Sequence, residues 1–163
     1  MFSERPKLRD PIGVCISCVN REGFTLSKIR VVLADDHGEM IEHVGELLST
    51  DGCVVVGTAS DGQAAIAAAA KLRPDIVVLD ISMPILNGIQ AAERMKEANP
   101  SIKIVFLTCL SDTDICRAAL ETGALGYVLK SRLGIDLIPA LKLATVGSRF
   151  VSPGCETPER HGL

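Results

Sequence analysis

From Ile29 onward the apolar positions alternate between two textures. Short β-branched runs are followed by stretches whose apolar residues recur every three or four positions. Ile29, Val31, Val32 and Leu33 form the first run, which ends at Ala34-Asp35-Asp36. Met40, Val44, Leu47 and Leu48 then share one face of a helix that Asp51-Gly52 stops. Val54 to Val56 is a second strand, and an Ala-rich helix from about Gln63 to Arg73 follows the Asp61-Gly62 turn. Ile76 to Leu79 is a third strand ending at Asp80. After the Asn87-Gly88 turn, Ile89, Ala92 and Met95 line a helix that Asn99-Pro100 terminates. Ile102 to Leu107 is a fourth strand ending at Thr108. Ser111, with Asp114 three residues on, predicts a capping box for a helix through Glu121, stopped by Gly123. Gly126 to Leu129 is a fifth strand ending at Lys130, and Leu137, Leu141 and Ala144 mark a last helix that Gly147 stops.

Near-continuous apolar strands, each followed by a helix, require a parallel sheet covered on both faces. The expected architecture is α/β, a doubly wound five-stranded parallel sheet in one domain spanning residues 28–147. Residues 1–27 hold Pro6, Pro11, Gly13 and Gly23 among charges and predict a poorly ordered extension. Residues 148–163, with Pro153, Gly154, Pro158 and Gly162, predict a linker-like tail.

Composition narrows the function classes. The 163 residues carry a net charge of -3, which lacks the basic excess of a nucleic-acid footprint, so no DNA binding by this chain itself is expected. The apolar stretches all fall short of the roughly 20 residues that a membrane span needs. Aromatics are only 3%, so the core must be built from aliphatic side chains, as suits a helix-covered sheet. Of six cysteines, four are scattered singly, the pattern of reduced thiols in a cytoplasmic protein. Cys15 and Cys18 form one CxxC in the N-terminal extension. No second ligand pair follows to complete a zinc site, and no strand precedes it as in a redox motif.

In an open parallel sheet, ligands bind beyond the carboxyl ends of the strands. Strand one ends in Asp35-Asp36, strand three in Asp80, strand four in Thr108 and strand five in Lys130. If those four strands are neighbours, three carboxylates, a hydroxyl and an ammonium meet in one cleft. Each residue alone has a plain explanation: a lone Asp is a helix cap, a lone Lys a solvated charge, a lone Thr a loop residue. The conjunction at four of five strand ends is the signal. Like charges at 4 Å repel by about 4 kcal/mol at an effective dielectric near 20, so the cluster calls for a cation. All-oxygen ligands favour a hard ion such as Mg²⁺. A carboxylate nucleophile, a metal and a fixed ammonium are the parts of a phosphoryl-transfer site.

These stretches resemble the receiver domain of two-component response regulators. Val32-Leu33-Ala34-Asp35-Asp36-His37 is similar to the family's acidic pair after strand one. Asp80-Ile81-Ser82-Met83-Pro84-Ile85-Leu86-Asn87-Gly88 resembles its phosphoacceptor motif. Phe106-Leu107-Thr108 resembles the switch hydroxyl, and Gly126-Tyr127-Val128-Leu129-Lys130 the switch aromatic with its Lys. The resemblance covers residues 28–147. It implies a flavodoxin-like sheet of order 2-1-3-4-5, with Asp80 accepting a phosphoryl group from a sensor histidine kinase or phosphotransfer protein. It further implies Mg²⁺ held by Asp35, Asp36, Asp80 and the backbone carbonyl of Ser82. Thr108 and Lys130 would bind the phosphoryl oxygens, Tyr127 would act as the switch, and helix 4, strand 5 and helix 5 would offer a homodimer face. The tail from Gly147 to Pro153 resembles regulators carrying a LuxR-type helix-turn-helix, and the expectation is a receiver without its output domain.

Departures from the family pattern carry expectations of their own. Leu110, two residues after Thr108, cannot orient a water, which predicts slow loss of the phosphoryl group. His37 and His43, six apart, predict no metal pair. An Asp-nucleophile phosphatase is the enzymatic rival, but it wants an acid two residues after the nucleophile, where Ser82 stands. A nucleotide module would need a glycine-rich phosphate loop, which is missing. A phosphorylation-independent scaffold is the third reading.

Overall fold

The computed structural model describes residues 28–155. Six strands and five helices alternate. The strands are β1 (Ile29–Ala34), β2 (Cys53–Ala59), β3 (Ile76–Leu79), β4 (Lys103–Thr108), β5 (Gly126–Leu129) and β6 (Phe150–Val151). The helices are α1 (Gly38–Ser49), α2 (Gly62–Leu72), α3 (Gly88–Ala98), α4 (Thr113–Glu121) and α5 (Leu133–Thr145), the last preceded by a 3-10 turn over Lys130–Arg132. All pairings are parallel and the order is β2-β1-β3-β4-β5-β6.

Side-chain alternation along the central strands divides the core in two. Val32, Val77, Leu79, Ile104, Phe106 and Tyr127 face α2, α3 and α4. Val31, Leu33, Ile76, Val78, Val105 and Val128 face α1 and α5. Nearly all of these are fully buried, which is why the strands read as unbroken apolar runs. Small residues on the covering helices, Ala65 and Ala69 on α2 and Ala91 and Ala92 on α3, let their backbones lie close to the sheet.

Local chemistry sets the helix ends. The Asp61 side chain caps α2 by accepting from Ala64 N–H, and Asn87 with Gln90 forms a reciprocal capping box on α3. The cap of α4 differs from the sequence expectation. Asp112, not Ser111, is the cap, its carboxylate accepting from the N–H groups of Asp114 and Ile115. A carboxylate one residue nearer the helix brings its oxygen to both donors, and its charge suits the helix N-terminus.

The C-terminal reading also needs correction over its first part. Residues 148–155 do not form a free linker. Phe150–Val151 adds to the sheet beside β5, and Ser152 and Cys155 are fully buried. The apolar pair Phe150-Val151 was too short for its periodicity to register, yet β5 offers it an open edge. The Cys15-Cys18 pair lies outside the described residues.

Candidate functional site

The carboxyl ends of β1 and β3 lie side by side, because Ala34 pairs with Leu79. Asp35 and Asp80, the next residue in each case, therefore emerge together at one rim of the sheet. β4 adjoins β3 and β5 adjoins β4, which brings Thr108 and Lys130 to the same rim. Register alone thus assembles residues that are far apart in the chain.

The loop after β3 is held in place by backbone bonds. Asp80 N–H donates to the Ala34 carbonyl at 2.8 Å, and Gly88 N–H returns to the Ile81 carbonyl at 2.9 Å. A Cβ at Gly88 would fall onto the Asp80 carbonyl oxygen, so only glycine lets α3 begin this close. Ile81, Met83 and Leu86 anchor the loop in the core, while Ile85 stands 82% exposed at φ +69°. A β-branched residue in the left-handed region is strained, so the loop geometry is enforced by its neighbours.

At the rim the Lys130 ammonium bridges two carboxylates, 2.6 Å from Asp35 Oδ2 and 3.1 Å from Asp80 Oδ2. All three side chains are largely buried. Ligand atoms of Asp35, Asp36, His37 and Asp80 all lie within 4.8 Å of one another. Burial pushes the Asp80 carboxyl above its ordinary value. The Lys130 hydrogen bond and charge pull it down without offsetting that, and the Asp35 charge adds to the rise. For Lys130, burial works against the ammonium, but the hydrogen bonds and charges of Asp35 and Asp80 outweigh it and hold the group above its usual range.

Thr108 is fully buried at the end of β4, and its Oγ1 accepts from Leu110 N–H at 3.3 Å. Tyr127 points inward. Its ring packs against Phe106 with centroids 6.4 Å apart, and its hydroxyl donates to the Leu110 carbonyl at 2.7 Å. Ser82 N–H donates to Asp80 Oδ1 at 3.4 Å, at the outer end of the hydrogen-bond range. Its side chain is exposed and brings no acid to the position a phosphatase would use.

His37 is the site residue that sequence reasoning passed over. Sequence spacing sets it six residues from His43, which is exposed on α1 and takes no part in the site. His37 Nδ1 instead lies 3.0 Å from Asp36 Oδ1 and 3.2 Å from Asp35 Oδ1, and its backbone N–H donates to Asp35 Oδ1 at 2.8 Å. The available signal was its position directly after the acidic pair.

A doubly wound parallel sheet with an acidic pair, buried at Asp35 and exposed at Asp36, a third carboxylate and a lysine at its carboxyl rim defines a receiver-type α/β module. The response regulator receiver domain family matches residues 31–142, and the chain belongs to that family. Response regulator GacA of Pseudomonas viridiflava is 32% identical over 126 residues, covering 77% of this chain and 59% of that protein. Transcriptional regulatory protein PdtaR of Mycobacterium tuberculosis is 38% identical over 121 residues, covering 74% and 58%. Among solved structures, a LuxR-family two-component response regulator from Aurantimonas superposes with a TM-score of 0.76 at 32% identity, covering 79% of this chain and 93% of that one. The isolated receiver of RcsB from Salmonella enterica serovar Typhimurium, determined with phosphomimetic BeF3-, gives 0.72 at 30% identity, covering 78% and 96%. The chain thus spans a little under three fifths of these two curated relatives. Its relatives are response regulators, one of the similar structures being of the LuxR family, and the flavodoxin-like order 2-1-3-4-5 stands, extended by β6. No helix among the described residues is long and apolar enough to cross a membrane.

Proposed function

We propose that Asp80 accepts a phosphoryl group from the phosphohistidine of a sensor histidine kinase or phosphotransfer protein. An Asp80 carboxylate oxygen attacks phosphorus, the phosphorus–nitrogen bond breaks, and the departing imidazole takes up a proton. The observation that carries this reading is the Lys130 ammonium bridging Asp35 and Asp80 at the buried strand ends.

The donor chemistry fits a hard divalent ion. Three carboxylates face one ammonium, which leaves two negative charges to balance. Asp35, Asp36, Asp80 and the Ser82 carbonyl would hold Mg²⁺, which when bound neutralises charge on the phosphoryl oxygens. Lys130 then serves the transferred group: its ammonium already reaches Asp80 Oδ2 and can pass to a phosphoryl oxygen on that carboxylate. Thr108 Oγ1 supplies a hydroxyl from the neighbouring strand, and Tyr127 reads its position through their shared link to Leu110. The new charge biases this element between two states. The chain acts as a phosphoacceptor and not as a turnover enzyme, apart from slow loss of its own phosphoryl group.

Free thiols at Cys53, Cys116 and Cys155 in buried positions support a cytoplasmic setting. Homodimer formation through α4, β5 and α5 and the lack of DNA binding by this chain itself belong to the same proposal.

Incubating the chain with acetyl phosphate and Mg²⁺, then measuring intact mass, tests it. One alkali-labile phosphoryl group is expected, absent in Asp80→Asn because an amide is a poor nucleophile. An unmodified mass would favour a phosphorylation-independent scaffold, and multiple turnover of an unrelated phosphate ester would favour a phosphatase.

A further inference from the structure

β5 would be an edge strand if the chain ended its packing at α5. Instead residues 149–155 run along it. Phe150 N–H donates to the Leu125 carbonyl at 2.9 Å, and Ser152 N–H to the Tyr127 carbonyl at 2.8 Å. The segment is then clamped by a buried polar relay. Ser152 Oγ accepts from Leu129 N–H at 3.1 Å and donates to Asp136 Oδ2 at 2.7 Å, while Arg132 Nε holds the same carboxylate oxygen at 2.7 Å. Phe150 packs on the α5 side of the sheet, and Val151 and Cys155 on the α4 side. Cys155 is fully buried, and the Cys116 thiol of α4 donates to its carbonyl at 3.2 Å.

An exposed strand edge flanked by two helices is a ready template for an extended segment. Here the ligand is tethered. We infer that the β5 edge with the flanks of α4 and α5 forms a strand-docking groove, that its ligand is this chain's own segment 149–155, and that docking is coupled to the phosphoryl pocket through Tyr127. The coupling half rests on the phosphoacceptor reading above.

The physical link is Tyr127. Its backbone carbonyl receives Ser152, and its ring shares the apolar cluster of Cys116, Val151 and Cys155. Its hydroxyl ends on Leu110, whose N–H bonds Thr108 Oγ1. Val151 and Cys155 of the docked segment pack in the same cluster as the inward Tyr127 ring and Cys116 of α4. Docking therefore favours the inward ring, and whatever draws Thr108 toward Asp80 favours docking. The same segment covers the face on which a homodimer was expected, so a partner there must displace it.

Amide hydrogen exchange on the full chain tests both halves, with Mg²⁺ and beryllofluoride as the phosphoryl mimic. In the unliganded chain Phe150, Ser152 and Leu129 amides are expected to be protected. Saturating beryllofluoride raises that protection by a factor expected within about 5–150-fold, and by reciprocity Cys155→Asp weakens beryllofluoride binding by the same factor. Rapid exchange of Phe150 and Ser152 in the unliganded chain would overturn docking. Beryllofluoride binding with unchanged protection would overturn the coupling. Protection lost on dilution together with a halved mass would show that the ligand comes from a second copy, which overturns the tethered assignment. A site that binds no beryllofluoride would remove the phosphoacceptor reading and the coupling with it, while docking is still judged by the unliganded protection.

Discussion

The Lys130 ammonium sits closer to Asp35, at 2.6 Å, than to Asp80, at 3.1 Å. Lys130 and Asp35 are therefore joined before any phosphoryl group arrives, and Asp80 holds the looser end. Replacing Lys130 by Met leaves two buried carboxylates facing each other. Removing one partner of a buried pair costs about 3–5 kcal/mol. Denaturant unfolding with and without EDTA checks this. The variant should be destabilised by that order in EDTA, and Mg²⁺ should restore far more stability to it than to the wild type.

Asp80 gives the pH dependence. Its carboxyl is raised above the usual 3.8, chiefly by burial, so the folded state binds its proton more tightly than the unfolded chain does. That contribution to stability is fully present below 3.8 and is lost as pH rises through the raised folded value. Asp136 has the opposite sign. Its hydrogen bonds to Arg132 and Ser152 lower it, so its contribution is present above 3.8 and is lost as pH falls through its lowered value. In metal-free buffer, Asp80→Asn is expected to be more stable than wild type at neutral pH and to lose the decline that begins above 3.8. Thermal unfolding from pH 3 to 8 in EDTA measures both.

Gly88→Ala pushes a methyl group against the Asp80 carbonyl. Overpacking of this kind costs about 1–3 kcal/mol. Because the strain falls on the backbone of Asp80, the rate of labelling by acetyl phosphate should drop together with stability. Gly134→Ala, where a Cβ meets nothing within 4 Å, is the control and should change neither by much.

Leu110, two residues after Thr108, has its backbone engaged on both sides, its N–H to Thr108 and its carbonyl to Tyr127. Its apolar side chain offers no group to orient a water on the acyl phosphate. The phosphorylated chain should persist for minutes or longer, followed by mass spectrometry after donor removal, and Leu110→Asn should shorten that lifetime. Decay of the wild type within seconds would contradict this account.

Much of the site was legible because strand ends are marked by polar residues after apolar runs. Asp35, Asp80, Thr108 and Lys130 each follow such a run, and parallel β1, β3, β4 and β5 deliver them to one rim. His37 was missed because it works through a bend rather than a periodic face: its ring folds back on the two carboxylates just before it. Asp112 was passed over for Ser111 because both are capping types one residue apart, and the backbone path into α4 decides between them.

The alternation of apolar runs and amphipathic stretches was enough to dictate a helix-covered parallel sheet, since period and burial are properties of short segments. Tertiary structure alone decided the neighbours. The bridging of Asp35 and Asp80 by Lys130, the inward ring of Tyr127 and the seating of residues 149–155 on β5 all join segments far apart along the chain. No local pattern encodes such contacts; they follow from sheet order and from which edge is left open for Phe150 and Val151 to fill.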